Sequence, residues 1–177
     1  MNLWKDFDER DILPEMFTAV VEISKGSHCK YELDKRTGAI KLDRILSTST
    51  QYPSNYGFIP LTYAQDNDPL DVLILCQEPL VPLSEVKCVP IGVINMLDQG
   101  EVDEKIIAIA IADPMWNTYN EVSQLPPHYV RETKHFFEIY KNLENKQTIV
   151  EGVNDKVSAI RIIRECLERY KKVILKE

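Results

Sequence analysis

The 177-residue sequence predicts an α+β fold, a curled sheet or small barrel with helices packed on it. Three observations predict it. Short, alternating apolar runs occur between Phe17 and Leu46, longer Val- and Ile-rich runs between Val72 and Ala112, and helical apolar spacing only beyond Pro127. No composition shift, internal repeat or Gly/Ser/Pro linker divides the chain, so residues 1–177 read as one domain.

Phe17 to Ser24, Cys29 to Asp34 and Ala39 to Leu46 are separated by Gly26 and Gly38 and read as a three-stranded meander. Alternation in the second strand puts Lys30 and Glu32 on one face and Tyr31 and Leu33 on the other. Gln51 to Pro60 reads as a loop, fixed by Pro53, Gly57 and Pro60 and carrying Tyr52 and Tyr56. Val72 to Cys76, Val86 to Leu97 and Lys105 to Ala112 are nearly continuous apolar runs, as expected of central strands covered on both faces. Asp98-Gln99-Gly100-Glu101 reads as the turn between the last two. A helix starts at Pro127 with Val130, Thr133, Phe136, Phe137 and Tyr140 in one stripe. A second is capped by Asn154, with Val157, Ile160, Ile163, Cys166, Leu167 and Tyr170 inward.

With 44% hydrophobic and 28% charged residues the chain supports a real core, and disorder is excluded. A net charge of -7 argues against a nucleic-acid partner, because phosphate-backbone binders present a basic face. Cys29, Cys76, Cys88 and Cys166 form no C-x-x-C pair, so neither a zinc site nor a redox motif is legible, and reduced thiols point to the cytoplasm. The amino terminus lacks an apolar signal core. The longest apolar stretch, Ile106 to Ala112, is too short to cross a bilayer, so no membrane partner is expected.

Asp66-Asn67-Asp68-Pro69-Leu70-Asp71 packs three carboxylates into six residues in front of an apolar strand. At about 5 Å and an effective dielectric of about 20, each pair repels by ~3 kcal/mol, and Pro69 limits how far the backbone can splay them. Two readings stand: a divalent-cation site, or an Asp-rich turn capping the strand. An EF-hand loop fails, because Leu70 would be its fifth position, Asp71 its turn glycine and Gln77 its bidentate Glu. Asp98, Glu101, Asp103 and Glu104 form a second acidic group, closed by Lys105, which taken alone reads as an exposed hairpin tip. Both groups lie at the ends of core strands, and both offer hard oxygen donors suited to Mg²⁺ or Mn²⁺. Arg44 on a regular strand shares a face with Ile40, Leu42 and Leu46, where a guanidinium needs an anion. The Tyr52 and Tyr56 phenols either fill the core or donate to an anionic oxygen. Lys30 and Lys105 alone read as surface charges, and Tyr140 as part of the helix stripe.

The order Glu22, Lys30-Tyr31-Glu32, Asp43-Arg44, Tyr52-Pro53-x-Asn55-Tyr56-Gly57-Phe58, Asp66-Asn67-Asp68-Pro69-Leu70-Asp71-Val72 is continued by two further motifs. These are Asp98-x-Gly100-Glu101-x-Asp103-x-Lys105 and Phe136-Phe137-Glu138-x-Tyr140-Lys141-x-Leu143-Glu144. From about Pro14 to Gly152 the arrangement resembles the soluble, Mg²⁺-dependent family I inorganic pyrophosphatases of bacterial type. The resemblance implies a small five-stranded, OB-like β-barrel with helices packed on it, hydrolysing pyrophosphate to two orthophosphates. It implies several Mg²⁺ ions per site, with Mn²⁺ or Zn²⁺ as substitutes, and a hexamer.

By the same resemblance Asp66, Asp71 and Asp103 hold the metals that activate water, and Asp98 with Asp103 holds those carried in with substrate. Glu22 and Glu32 support them. Asp68 is the general base. Lys30, Arg44, Tyr56, Lys105, Tyr140 and Lys141 bind phosphate, with Tyr52 in support. Two departures stand out: Gln99 where the family usually has Glu, and Ser24 in place of a proline before Lys25-Gly26. Arg164-Glu165-Cys166-Leu167-Glu168 suggests a Nudix hydrolase, but Lys156 and Val150 occupy positions that its motif reserves for other residues. A non-catalytic metal-binding barrel leaves Lys30, Arg44, Lys105 and Lys141 without a common purpose.

Overall fold

The computed structural model describes residues 2–175. β1 (Ile12–Leu13) and β2 (Met16–Ile23) come first, followed by β3 (Cys29–Leu33) and β4 (Ile40–Ile45). β5 (Asn55–Ile59), β6 (Leu70–Leu75), the long β7 (Glu85–Asp98), the short β8 (Glu101–Val102) and β9 (Lys105–Ala110) follow. Helix α1 (Pro127–Ile139), β10 (Thr148–Asp155) and helix α2 (Lys156–Val173) complete the chain.

The main sheet runs β1-β2-β5-β6-β9-β7-β10, and β2 also pairs β7, so β2, β5, β6, β9 and β7 close a ring of five strands. Within it only β6 and β9 run parallel. β7 is long enough to serve several partners along its length: Glu85 to Cys88 lie against β2, Cys88 to Ile94 against β9 and Gly92 to Asp98 against β10. Closure removes the open edges that a sheet of this apolarity would otherwise expose.

The core lies on both sides of these strands. Val72 and Ile74 of β6, and Ile106, Ala108 and Ala110 of β9, share a cluster with Ala159, Ile162, Ile163, Cys166 and Tyr170 of α2. Leu73 and Leu75, with Ile107 and Ile109, share the other with Phe136, Phe137 and Tyr140 around the end of α1. That division follows the two-residue period of a strand and explains why these segments read as unbroken apolar runs. Among the described residues no helix is long and apolar enough to cross a membrane.

Four expectations need correction. The meander does not form: β3 and β4 pair only with each other as a separate two-stranded ribbon, while β2 pairs β5 and β7. β2 is buried from Ala19 to Ile23 and needs a partner on each edge, whereas the polar ribbon has no continuous apolar face to insert. The segment read as a loop contains β5, buried throughout. Gly57 is there because a Cβ would lie 1.9 Å from Val20 O on β2, a closeness of approach that no side chain permits. Pro53 and Pro60 merely flank the strand. β10 was not foreseen, since Glu151, Gly152 and Asn154 interrupt its apolar pattern. Finally, α2 is capped by Asp155, whose carboxylate accepts from Ser158 N at 2.9 Å, and Val157 is 72% exposed. Its inward stripe starts at Ala159 instead.

Candidate active site

One cavity of about 440 Å³ collects side chains from every part of the ring and from the ribbon. β2 supplies Glu22, and β3 supplies Lys30 and Glu32. Tyr52 precedes β5 and Tyr56 lies on it. Asp66 and Asp68 come from the connection into β6, which itself carries Asp71. Asp98 ends β7, Asp103 precedes β9, Lys105 begins it, and Tyr140 and Lys141 follow α1.

Strand register sets one contact of the buried Lys105. The parallel β6–β9 pair aligns Asp71 with Lys105, and Lys105 Nζ donates to Asp71 Oδ2 at 2.8 Å. It also donates to Asp103 Oδ1 at 3.0 Å and to Tyr56 Oη at 2.9 Å. At 2% exposure, burial disfavours the ammonium, but Asp103 and Asp71 outweigh it and hold the pKa of Lys105 well above its ordinary value. The Tyr56 phenol stays protonated, because burial and the Asp71 charge push its pKa far up.

The acidic connection is a turn as well as a wall of the cavity. Asn67 takes the left-handed conformation at φ +67°, Asp68 N donates to Asp66 Oδ1 at 3.1 Å, and Ala64 N donates to Asp68 O at 2.8 Å. The turn keeps all three carboxylates on the cavity side. Burial, reinforced by Asp71, pushes the Asp66 carboxyl up to about 6. Glu22 is pushed up to about 8 by burial, even though it accepts from Leu33 N at 2.7 Å. Asp103 is also raised, by burial and by Asp71, against the pull of Lys105. Acids raised in this way are short of positive charge.

Seven carboxylates and four lysines line the cavity. Lys141 donates to Asp98 Oδ2, and the other oxygen, Oδ1, is buried without a partner. All these acidic donors are hard oxygens, and an orphaned carboxylate oxygen beside them suits a divalent cation. Among the described residues no three acidic, His or Cys side chains converge closely enough to hold one ion. The lysine ammonium groups sit between the carboxylates instead.

Arg44 does not line the cavity. Its Nη1 donates to Asp43 Oδ2 at 2.7 Å, and the same oxygen accepts from Lys30 Nζ at 3.2 Å, so Arg44 stands one ion pair behind the wall. Its Nε lies 3.0 Å from Glu144 Oε1, yet neither Nε nor the buried Nη2 makes an aligned hydrogen bond. The anion expected for it is supplied by Asp43 and Glu144. Of the expected apolar face only Leu46 is buried; Leu42 is 49% exposed and Ile40 half-buried.

A family model described as inorganic pyrophosphatase matches residues 19–171. The chain belongs to the inorganic pyrophosphatase family. It is 48% identical to the soluble inorganic pyrophosphatase of Zea mays, over 97% of this chain and 80% of that one. It is 46% identical to soluble inorganic pyrophosphatase 1 of Arabidopsis thaliana, over 97% and 81%. The inorganic pyrophosphatase structure from Thermus thermophilus superposes with a TM-score of 0.92 at 38% identity, covering 97% of this chain and 99% of that one. The five-stranded barrel with packed helices is thus the fold of the pyrophosphatase family.

Two residues in and beside this cavity were not legible in the sequence. Lys35 lines the cavity and donates to Asp68 Oδ1, but it sits in the β3–β4 turn, where strand alternation no longer assigns a face. Glu144 belongs to the quoted Phe136–Glu144 motif, yet only the fold reveals that it faces Arg44. Gln99 lies in the β7–β8 turn at φ +51°, outside the main cavity. It lines an adjoining hollow of about 240 Å³ with Asp66, Asp98, Glu101 and Asp103.

Proposed function

We propose that the pyrophosphate hydrolysis of this family takes place in the 440 Å³ cavity, with Mg²⁺ as the divalent ion and Asp68 as the general base. The observation that carries the reading is the meeting, in one cavity, of seven carboxylates with lysines and buried phenols. Pyrophosphate is a compact polyanion. A site for it must join direct cationic contacts to acids that recruit metal cations.

Asp66, Asp71, Asp98 and Asp103 would hold the cations, with Glu22 and Glu32 behind them. What those cations supply is neutralisation of phosphate oxygens and acidification of the attacking water. Asp68 takes the water proton. Lys35 engages its Oδ1, which leaves Oδ2 to accept. As the water oxygen bonds to one phosphorus, the bond from that phosphorus to the bridging oxygen breaks, and two orthophosphates result. Lys30, Lys105 and Lys141 orient the phosphates, and Arg44 acts from behind Lys30 with its unpaired Nη2. The Tyr56 oxygen accepts from Lys105, so its own proton is free to be donated to a phosphate oxygen, as is that of buried Tyr140.

The decisive test is phosphate release from pure protein with and without Mg²⁺. Release only with Mg²⁺ is expected; none at any Mg²⁺ concentration would overturn the assignment. We place the enzyme in the cytoplasm on its unpaired thiols, which are half-buried at Cys29 and buried at Cys76, Cys88 and Cys166.

A further inference from the structure

Of the four cavity lysines, Lys35 alone comes from the ribbon's turn, and it meets the residue cast as the base. Lys30 is engaged by Asp43 and Glu32, Lys105 by Asp71 and Asp103, and Lys141 by Asp98. Lys35 is fixed at both of its ends. Its main-chain oxygen accepts from Asn2 Nδ2 at 3.0 Å, and its ammonium lies 5.4 Å from the centroid of the Trp4 ring, which it shares with Lys5. Trp4 is anchored in turn: Nε1 donates to Thr62 O at 2.9 Å, its carbonyl accepts from Leu61 N, and Tyr63 and Tyr170 pack against its ring. A solvated surface lysine needs none of this scaffolding.

We propose that Lys35 is a positioning residue for hydrolysis: seated over Trp4, it orients the Asp68 carboxylate through Oδ1, so that the alignment of the base depends on the amino-terminal segment and the ribbon. The ribbon has no strand pairing to the barrel, so this ion pair ties its tip to the acidic connection. The proposal rests on Asp68 being the base, and D68N alone tests that premise: normal turnover in D68N overturns the base assignment itself.

Lys35 is tested by a double-mutant cycle. K35M is expected to lower kcat about five-fold with KM little changed, K35R to restore most of it, and K35M to cost less than about two-fold in a D68N background. Equal losses in both backgrounds, a loss carried by KM, or an unchanged kcat in K35M would each overturn the role of Lys35. Circular dichroism and melting of each variant establish that it is folded. A second measurement needs no turnover. In a W116F background, which leaves Trp4 as the only indole, D68N is expected to shift the Trp4 emission because it releases the ammonium above that ring. Unchanged emission would overturn the coupling.

Discussion

At the scale of single residues, the cavity is a balance of charges that no one side chain could hold alone. Asp68 is among its more exposed carboxylates and makes no buried ion pair, so its replacement is expected to leave the barrel folded. Asp68→Asn is expected to lower kcat by roughly 100-fold or more, with metal binding by calorimetry largely retained; normal kcat would reassign the base. Gln99 borders Asp98 and Asp103 in the adjoining hollow. Gln99→Glu adds a carboxylate there, and a Mg²⁺ titration of activity is expected to reach its midpoint at lower Mg²⁺. The acidic residues of the cavity were legible because three carboxylates in six residues are conspicuous, whereas the roles proposed for them come from motifs that fall in family order. Lys35 and Glu144 were not. Their partners, Asp68 and Arg44, lie 33 and 100 positions away, beyond any local period.

At the scale of elements, the strands that read most clearly were those buried on both faces. β6 and β9 are nearly unbroken apolar runs, and the fold confirms them. β5 was hidden by the residue that makes it possible: Gly57 reads as punctuation, yet it is where β2 presses on β5. Gly57→Ala is expected to cost about 3 kcal/mol or more, because a backbone atom is the obstacle and cannot swing aside; urea denaturation measures it. On α2, burial pushes the Cys166 thiol from 9.0 up to about 12. The folded state therefore keeps a proton that the unfolded chain releases between those values. This contribution is complete below pH 9 and is lost as pH rises toward 12. Cys166→Ala is expected to flatten the fall in stability above pH 9, read from denaturation midpoints at pH 8 to 10.5; an unchanged slope would show the thiol ionises as freely folded as unfolded.

At the scale of the whole molecule, ring and ribbon are distinct in how they are held. Five strands close on themselves through β2 and β7, while the ribbon is held by the main-chain N–H of Leu33 on Glu22, the buried Leu33 side chain and the Lys35–Asp68 pair. The α+β order was visible in the sequence, but the closure was not, since it joins Phe17–Val20 to Glu85–Cys88. Chelation by EDTA is expected to abolish phosphate release without unfolding the barrel, because the core needs no metal; Mg²⁺ should restore it. Loss of the far-ultraviolet dichroism signal together with activity would contradict that separation. Light scattering checks the hexamer that the family resemblance implies.

The parallel pairing of β6 with β9 also bears on how the chain is made. Lys105 follows Asp71 by 34 residues, with all of β7 and β8 between them, and a parallel partner cannot be reached by a tight turn. During synthesis the acidic segment thus leaves the ribosome well before its buried cation. Until β9 docks, Asp66, Asp68 and Asp71 repel one another with no Lys105 beside them, and the pocket can form only after the last barrel strand has arrived.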